Sequence, residues 1–354
     1  MKVVAALSGG VDSSVAAALM QRAGHQVVGV TLRLKHPDPV FSASQLCAGK
    51  SDEESVLAVC RKLQIESRFI EGFDRFSEHV LYPAAREYLA GRTPNPCCRC
   101  NEVVKFALLA EFADRIGAGL IVTGHYAGID DTNGIRRLMR GDDPLKDQSY
   151  FLYRLDRTIL DRVDFPVGRL CKAEVRQIAA ELGLSTAERP DSQDACFQVP
   201  GESFGETLRR LFALPCQDGQ FFYQDKAVGR HRGIHQFTIG QRKGMNVALG
   251  KPAYIRSIDP ATNGIELVTD PAGLMIRAFH VGDLILPDGL PERAEVQIRY
   301  RSKPVLAAIR PAEGGALVIP DQPLRAVTPG QAAVFYHGRI LLGGGTIGGV
   351  EYVD

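Results

Sequence analysis

Residues 3–14, Val3-Val4-Ala5-Ala6-Leu7-Ser8-Gly9-Gly10-Val11-Asp12-Ser13-Ser14, run a strand into a glycine turn and the turn into a helix. The apolar residues 3–7 show no alternation, which is how a strand covered on both faces reads. Two glycines permit a tight turn, and an amphipathic helix is predicted from about Asp12 to Ala23. Such a turn offers a phosphate closely approaching backbone, the unpaired N–H groups and positive dipole end of a helix, and the hydroxyls of Ser8, Ser13 and Ser14. Asp12 is placed to cap the helix or to hold a Mg2+ ion. The lysine of G-x-x-x-x-G-K-[ST] is missing, which argues against kinase-like transfer of a terminal phosphoryl group. A plain capped glycine turn is the bland alternative, and the position of all seven residues 8–14 directly after a strand counts against it.

Outward from this stretch, strand candidates VVGVTL (27–32), SRFI (67–70) and LIVTGH (120–125) alternate with helical patterns over 52–63, 75–90 and 105–117. That alternation predicts an α/β domain with a parallel sheet and helices on both faces. Sites in such sheets lie beyond the carboxyl ends of the strands, where both 8–14 and 123–126 fall. A helix over 172–182 ends at Gly183. After about residue 200 the pattern changes to short runs between turns. VQIRY (296–300), ALVI (316–319), AAVFY (332–336) and RILLGGGTI (339–347) are strand candidates. The expected division is a catalytic domain over 1–200, a β-rich central domain over 201–272 and a C-terminal β-barrel over 273–354.

The 354 residues carry a net charge of +1, with 45% hydrophobic and 23% charged residues, so disorder is not expected to dominate. No apolar stretch approaches the ~20 residues of a membrane span, and the first apolar run is too short for a signal peptide, so a cytoplasmic protein is expected. Charge is uneven, however. Lys226, Arg230, Arg232, Arg242, Lys243, Lys251 and Arg256 occur with no Asp or Glu between them, a pattern that suits a phosphate backbone or a plain solvated face.

Eight cysteines in a chain of this kind point to redox, sulfur or metal chemistry rather than to a disulfide scaffold. Thr93-Pro94-Asn95-Pro96-Cys97-Cys98-Arg99-Cys100-Asn101 reads as a loop, because two prolines exclude a helix interior, and it leads into a helix from about Val103. A thiol just before a helix start is a better nucleophile, and Arg99 acts in the same direction. Pro190–Phe197 presents Cys196 in a second polar loop. Cys60 and Cys171 read as small core residues.

The loop at 8–14 resembles the SGGxDS PP-loop of ATP pyrophosphatases, which adenylate a carbonyl oxygen and release pyrophosphate. The whole chain resembles the bacterial tRNA 2-thiouridylases that act on the wobble uridine. The likeness is carried by SGGVDSS (8–14), GRTPNPCCRCN (91–101), KF (105–106), TGHYA (123–127), KDQSYFLYRL (146–155), PDSQDACF (190–197), TIGQRKG (238–244), IRY (298–300) and TPGQAAVFY (328–336). It implies ATP with Mg2+ as cofactors. ATP would lie at Leu7, Ser8, Gly9, Gly10, Val11, Asp12, Ser13, Ser14 and Gly124, with adenine near Leu32. It also implies Cys100 as nucleophile and Cys196 as persulfide carrier, Cys100 releasing the sulfur by forming a disulfide with Cys196 or else making nascent hydrosulfide.

The same resemblance sets tRNA contacts at Asn95, Pro96, His125, Lys146, Asp147, Gln148, Arg299, Tyr300 and Gln331. By itself His125 reads as a satisfied histidine at a strand end, and 146–148 as a polar turn. A cysteine desulfurase or sulfur relay protein would reload Cys196. Cys97 stands where many family members carry Asp. With Cys100 and Cys196 it offers three thiolates for a 4Fe–4S cluster, and that version stays open beside the cluster-free persulfide one. Zinc lacks an evident fourth ligand. The segment 34–50 departs from the family pattern, keeping only Cys47, which leaves a paralogue with a shifted substrate as an alternative. Two further rivals are an amidating or ligating PP-loop enzyme, which needs neither Cys100 nor Cys196, and an RNA-binding protein with a decayed loop.

Overall fold

The computed structural model describes residues 1–35, 50–189, 197, 199 and 201–353. Cys47, most of the divergent segment and Cys196 lie outside the described residues. The chain divides into two compact units, one of Met1–His79, Cys97–Pro200 and Arg339–Leu341, the other of Val80–Pro96, Gly201–Gly338 and Leu342–Asp354.

The first unit is built on a parallel sheet of β1 (Lys2–Ala6), β2 (Gln26–Arg33), β3 (Glu66–Glu71), β4 (Leu120–Val122) and β7 (Val163–Asp164) in the order β3-β2-β1-β4-β7. Alternate residues of β1 feed opposite cores, which explains its unbroken apolar run. Val3 and Ala5 pack with Val15 of α1 (Val11–Arg22), Val59 of α2 (Lys50–Leu63) and Val175. Val4 packs on the other face with Leu109, Phe112 and Ile121. Strand order reverses at β1, whose neighbours are β2 and β4. The turns after β1 and β4 therefore diverge at the carboxyl edge and leave a crevice there. A hairpin of β5 (Ala127–Asp130) and β6 (Arg137–Arg140) follows β4 in sequence, and Ile340 pairs with its Met139.

Two expectations need correction here. The run 120–125 is a strand only to Val122. The segment 93–101 is not all loop: Pro96–Cys100 is an α-helical turn, Asn101–Lys105 a π turn and Phe106–Ile116 a regular helix. Proline is excluded from a helix interior, but Pro96 sits at the helix start, where its missing N–H has no intrahelical role.

In the second unit β8 (Gly219–Tyr223), β9 (Lys226–His231), β10 (Tyr254–Asp259) and β11 (Gly264–Val268) form a sheet in the order β10-β11-β8-β9 around Phe221, Phe237 and Ile255. Six further strands close on themselves. β12 (Met275–Ile285) pairs with β15 (Gly315–Pro320), and the circuit continues through β14 (Val305–Ala312), β13 (Arg293–Gln297), β17 (Ala332–His337) and β18 (Ile340–Tyr352) back to β12. The short β16 (Leu324–Arg325) pairs with the start of β12. Closure removes the unpaired edges of a sheet. The strand expected over 296–300 stops at Gln297. No helix among the described residues is long and apolar enough to cross a membrane.

Candidate functional site

The turn after β1 is a cradle. Gly9 has φ +80°, and Gly10 takes the N-cap position of α1. Ser13 Oγ and Ser14 Oγ donate to Gly10 O at 3.1 and 2.8 Å, and Ser8 N donates to Ser13 Oγ at 3.2 Å. The first N–H groups of a helix have no intrahelical partner and face the crevice side of such a turn. Gly124, from the turn after β4, packs directly on this helix start: a Cβ there would stand 2.5 Å from Ser13 N. The 8–14 loop and Gly124, far apart in sequence, are thus brought together. Leu7 anchors the turn, donating its N–H to Val30 O at 2.8 Å and accepting from Thr31 Oγ1 at 2.9 Å. Leu32 lies opposite Ile70 near the end of β2.

Asp12 neither caps α1 nor stands alone. Its two oxygens lie 2.7 and 2.9 Å from Lys172 Nζ, and Tyr126 Oη donates to Oδ1 at 2.7 Å. Lys172 opens the helix Lys172–Glu181, and its side chain is only 14% exposed, so the cation is held in the cradle. Opposite it, Arg189 donates to Gly9 O at 2.8 Å and to Ser55 Oγ at 3.1 Å, and pairs with Asp52. Sequence reasoning missed Lys172, Tyr126, Asp52 and Arg189. The only signal was the absent loop lysine, which left a phosphate site without a cation. A glycine cradle, a helix start, a carboxylate and two cations fit a Mg2+-bound nucleoside polyphosphate, with Asp12 the residue that would hold the ion.

The cysteines separate by environment. Cys98 is buried, its Sγ donates to Tyr150 O at 3.8 Å, and burial drives its thiol pKa well up. It is a core thiol. Cys97 is half-buried and Cys100 is 6% exposed, one turn apart on the same helix. The turn is pinned from beneath. Arg154, 6% exposed, donates to both oxygens of Glu102 at 2.6 and 3.3 Å, and Asn101 Nδ2 donates to Phe151 O at 3.0 Å. Cys60 is buried as expected. Cys171 is not: it is exposed at the N-cap of the Lys172–Glu181 helix, where its N–H donates to Glu174 Oε2 at 2.7 Å. Cys171 sits at the end of a helix that opens on the charged residues Lys172 and Glu174, not within an apolar pattern. Among the described residues no three His, Cys, Asp or Glu side chains gather as a metal site. A cluster on Cys97 and Cys100 would need Cys196.

His125 is a packed histidine. Its Nδ1 lies 2.7 Å from Thr123 Oγ1 and its ring stacks on Phe106, with Phe165 at its edge. Burial, then Lys105, lower its pKa to about 3. Asp147 ties the 146–148 turn, accepting from Arg140 Nη1 at 3.0 Å, Gly141 N at 3.1 Å and Ser149 N at 3.0 Å; Gln148 Oε1 accepts from Tyr126 N at 3.0 Å. Lys146 is half-buried. In the second unit Arg299 Nη2 donates to Ala326 O and Thr328 Oγ1, both at 2.7 Å, while Gln297 Nε2 donates to Tyr300 O at 2.6 Å. Asn95 and Pro96 are half-buried, and Gln331 Nε2 donates to Thr93 O and Pro94 O.

A phosphate-cradling turn at the reversal point of a parallel sheet, joined to β-barrel domains, defines an ATP-utilising enzyme of the PP-loop class. Residues 1–200 match the family described as tRNA methyl transferase HUP domain, 212–269 its PRC-barrel domain and 279–347 the aminomethyltransferase beta-barrel domain. The chain is 42% identical over 355 residues to a tRNA-specific 2-thiouridylase of Heliobacterium modesticaldum, covering 98% of this chain and 92% of that one. It is 41% identical over 360 residues to the tRNA-specific 2-thiouridylase of a Synechococcus species, covering 99% and 98%. The chain belongs to the tRNA-specific 2-thiouridylase family. A U34-tRNA thiolase of Methanococcus maripaludis, solved with its [4Fe-4S] cluster, aligns over 60% of this chain and 64% of its own at 17% identity and a TM-score of 0.35.

Proposed function

We propose that this protein is an ATP-dependent tRNA-uridine 2-sulfurtransferase acting on the wobble uridine. The observation that carries the reading is the glycine cradle with its paired Asp12 and Lys172 in one unit with the Cys97–Cys100 turn. ATP lies across residues 7–14, with adenine toward Leu32 and Gly124 beside the phosphates. When bound, Mg2+ neutralises phosphate charge, with Asp12 as its protein ligand.

The uridine must leave the base stack to react. Its O2 attacks the α-phosphorus, pyrophosphate leaves, and the poor oxide leaving group becomes AMP. The terminal sulfur of a Cys196 persulfide then bonds to C2 and AMP departs with the C–O electron pair. Cys100 thiolate attacks Sγ of Cys196, and the cleaved S–S pair stays on the nucleoside sulfur. That yields 2-thiouridine and a Cys100–Cys196 disulfide, which an external dithiol reduces before a desulfurase or relay protein restores the persulfide. Cys97 takes the acid–base position, or a cluster corner in the iron–sulfur version; no step above depends on a cluster. Asn95, Pro96, His125, Lys146, Asp147, Gln148, Arg299 and Tyr300 make up the tRNA side. Three domains, 1–200, 201–272 and 273–354, share the work in the cytoplasm.

The test is anaerobic thiolation of unmodified tRNA with ATP and a persulfide donor, alongside iron and sulfide analysis. Cys100→Ser and Cys196→Ser should each abolish 2-thiouridine while leaving tRNA-dependent pyrophosphate release. Full thiolation by either variant would overturn the sulfur-transfer assignment. Full activity without iron would end the cluster version.

A further inference from the structure

Within the second unit, the β8–β9 pair brings a thiol and an imidazole to one bare glycine. Gly219, at the start of β8, pairs with His231, at the end of β9. Continued past the ladder, that antiparallel register sets Cys216, just before β8, beside Gly233 and the 3₁₀ turn Ile234–Gln236, just after β9. The segment around Cys216 is held on both sides. Leu214 N donates to Arg209 O at 2.9 Å, Arg209 Nη1 donates to Leu214 O at 3.1 Å, and Asn263 Nδ2 donates to Gln217 O. Gly233 has φ +121°, and its N–H donates to His231 Nδ1 at 3.2 Å. A Cβ there would stand 2.5 Å from His235 Nδ1 and 3.5 Å from the Cβ of Cys216. The cysteine and the imidazole thus flank the space that the missing side chain leaves.

His235 is 1% exposed, and its two ring nitrogens are treated differently. Nε2 lies 2.6 Å from Glu206 Oε2. Arg209 donates to both oxygens of Glu206, from Nε at 2.9 Å and from Nη2 at 2.8 Å, and holds that carboxyl pKa down at about 2. An ionised carboxylate only accepts, so Nε2 carries the proton and Nδ1 presents a bare lone pair. That lone pair is buried with no hydrogen-bond partner, an arrangement that costs free energy and that a proton taken from Cys216 would relieve. Cys216 itself is exposed, so a reagent reaches the sulfur from water while the base lies buried behind it. Carboxylate, imidazole and thiol in that order is how a neutral thiol is made nucleophilic.

We propose that Cys216, with His235 as its base and Glu206 orienting the imidazole, is a reactive thiol outside the sulfur-transfer site, one that exchanges with low-molecular-weight disulfides and becomes S-thiolated. The inference stands apart from the function proposed above and uses neither Cys100 nor Cys196. In the step, Nδ1 takes the thiol proton and Sγ bonds to one sulfur of the disulfide. The original S–S bond breaks, and the departing sulfur leaves with the electron pair and takes the proton from His235. Cys216 is oxidised to a mixed disulfide, and half of the reagent is reduced to a thiol.

The test treats full-length protein with glutathione disulfide and follows the adduct at each cysteine by peptide mass spectrometry, with exposed Cys171 as internal reference. His235→Gln keeps an N–H for Glu206 but removes the acceptor at Nδ1. Its Cys216/Cys171 rate ratio should fall at least about tenfold below wild type, the loss expected when a general base is removed. Glu206→Gln leaves the imidazole without its anionic partner; it should lower the ratio in the same direction by less, and it carries the test should His235→Gln fail to fold. Loosening of the domain cannot imitate this result, because an exposed thiol in a looser setting reacts as fast or faster. An unchanged or raised ratio in His235→Gln, or in Glu206→Gln where that variant carries the test, would overturn the proposal. So would a wild type in which Cys216 takes up no glutathione.

Discussion

Lys172 supplies the cation that the 8–14 loop lacks. It pairs with Asp12, and a polyphosphate bound with Mg2+ would offer both partners a stronger match: the metal for Asp12, phosphate oxygens for the ammonium. Lys172→Met should therefore weaken ATP binding by about 1.5–3 kcal/mol, roughly tenfold to a hundredfold, while adenosine binding stays unchanged. Calorimetry without tRNA checks this free of turnover; equal losses for ATP and adenosine would mean a collapsed site instead. His125 bears on stability. Its folded pKa of about 3 lies below the 6.5 of an unperturbed histidine, so the unfolded chain binds the extra proton between those values. Its neutral ring supports the fold fully above about pH 6.5, and that support is lost as the pH falls toward 3. At pH 5 the loss is about 1–2 kcal/mol for this half-buried ring. His125→Phe should flatten the difference in urea unfolding free energy between pH 7.5 and pH 5 by that amount.

At the scale of elements, what could be read in advance was whatever depends on neighbours in sequence. The 3–7 strand, the glycine turn and the α1 helix were legible because apolar continuity, φ > 0 tolerance and helix starts are local properties. The 96–100 turn was not, because a proline that is excluded from a helix interior is at home at a helix start, and Pro96 occupies one. The π turn after it, at Asn101–Lys105, has no sequence signature, and the Arg154–Glu102 pair beneath it spans 52 residues. The Asp12–Lys172 pair, 160 residues apart, was equally invisible. Gly124 shows how closely two elements meet. Gly124→Ala places a methyl carbon 2.5 Å from Ser13 N, on backbone that cannot swing away. The helix start must shift, and ATP affinity should fall more than about tenfold, since displaced N–H groups no longer point at phosphate. Circular dichroism should stay near wild type; unaltered ATP affinity would show that the cradle tolerates displacement.

Over the whole molecule, a net charge of +1 hides a segregated distribution. Of the seven cations between residues 226 and 256, six are exposed, and only Arg256 is half-buried, its guanidinium 4.5 Å from the Tyr352 ring centre. Arg256 is therefore structural, and the exposed six form the part of the run available to a polyanion. Long-range attraction to RNA depends on such local density, because distant acidic residues are screened beyond about 8–10 Å at physiological salt. Arg230 and Arg232 flank His231 at the end of β9, and both are exposed to water. If each contacts a phosphate, removing both should reduce the slope of log affinity against log salt by about 1.4–1.8 and weaken tRNA binding alike for all tRNA sequences. ATP binding should be untouched, because the cradle belongs to the other unit. Filter binding of Arg230→Ala/Arg232→Ala across a salt series measures the slope directly. An unchanged slope would make these two arginines a solvated face, and would move the search for phosphate contacts to Arg242, Lys243 and Lys251.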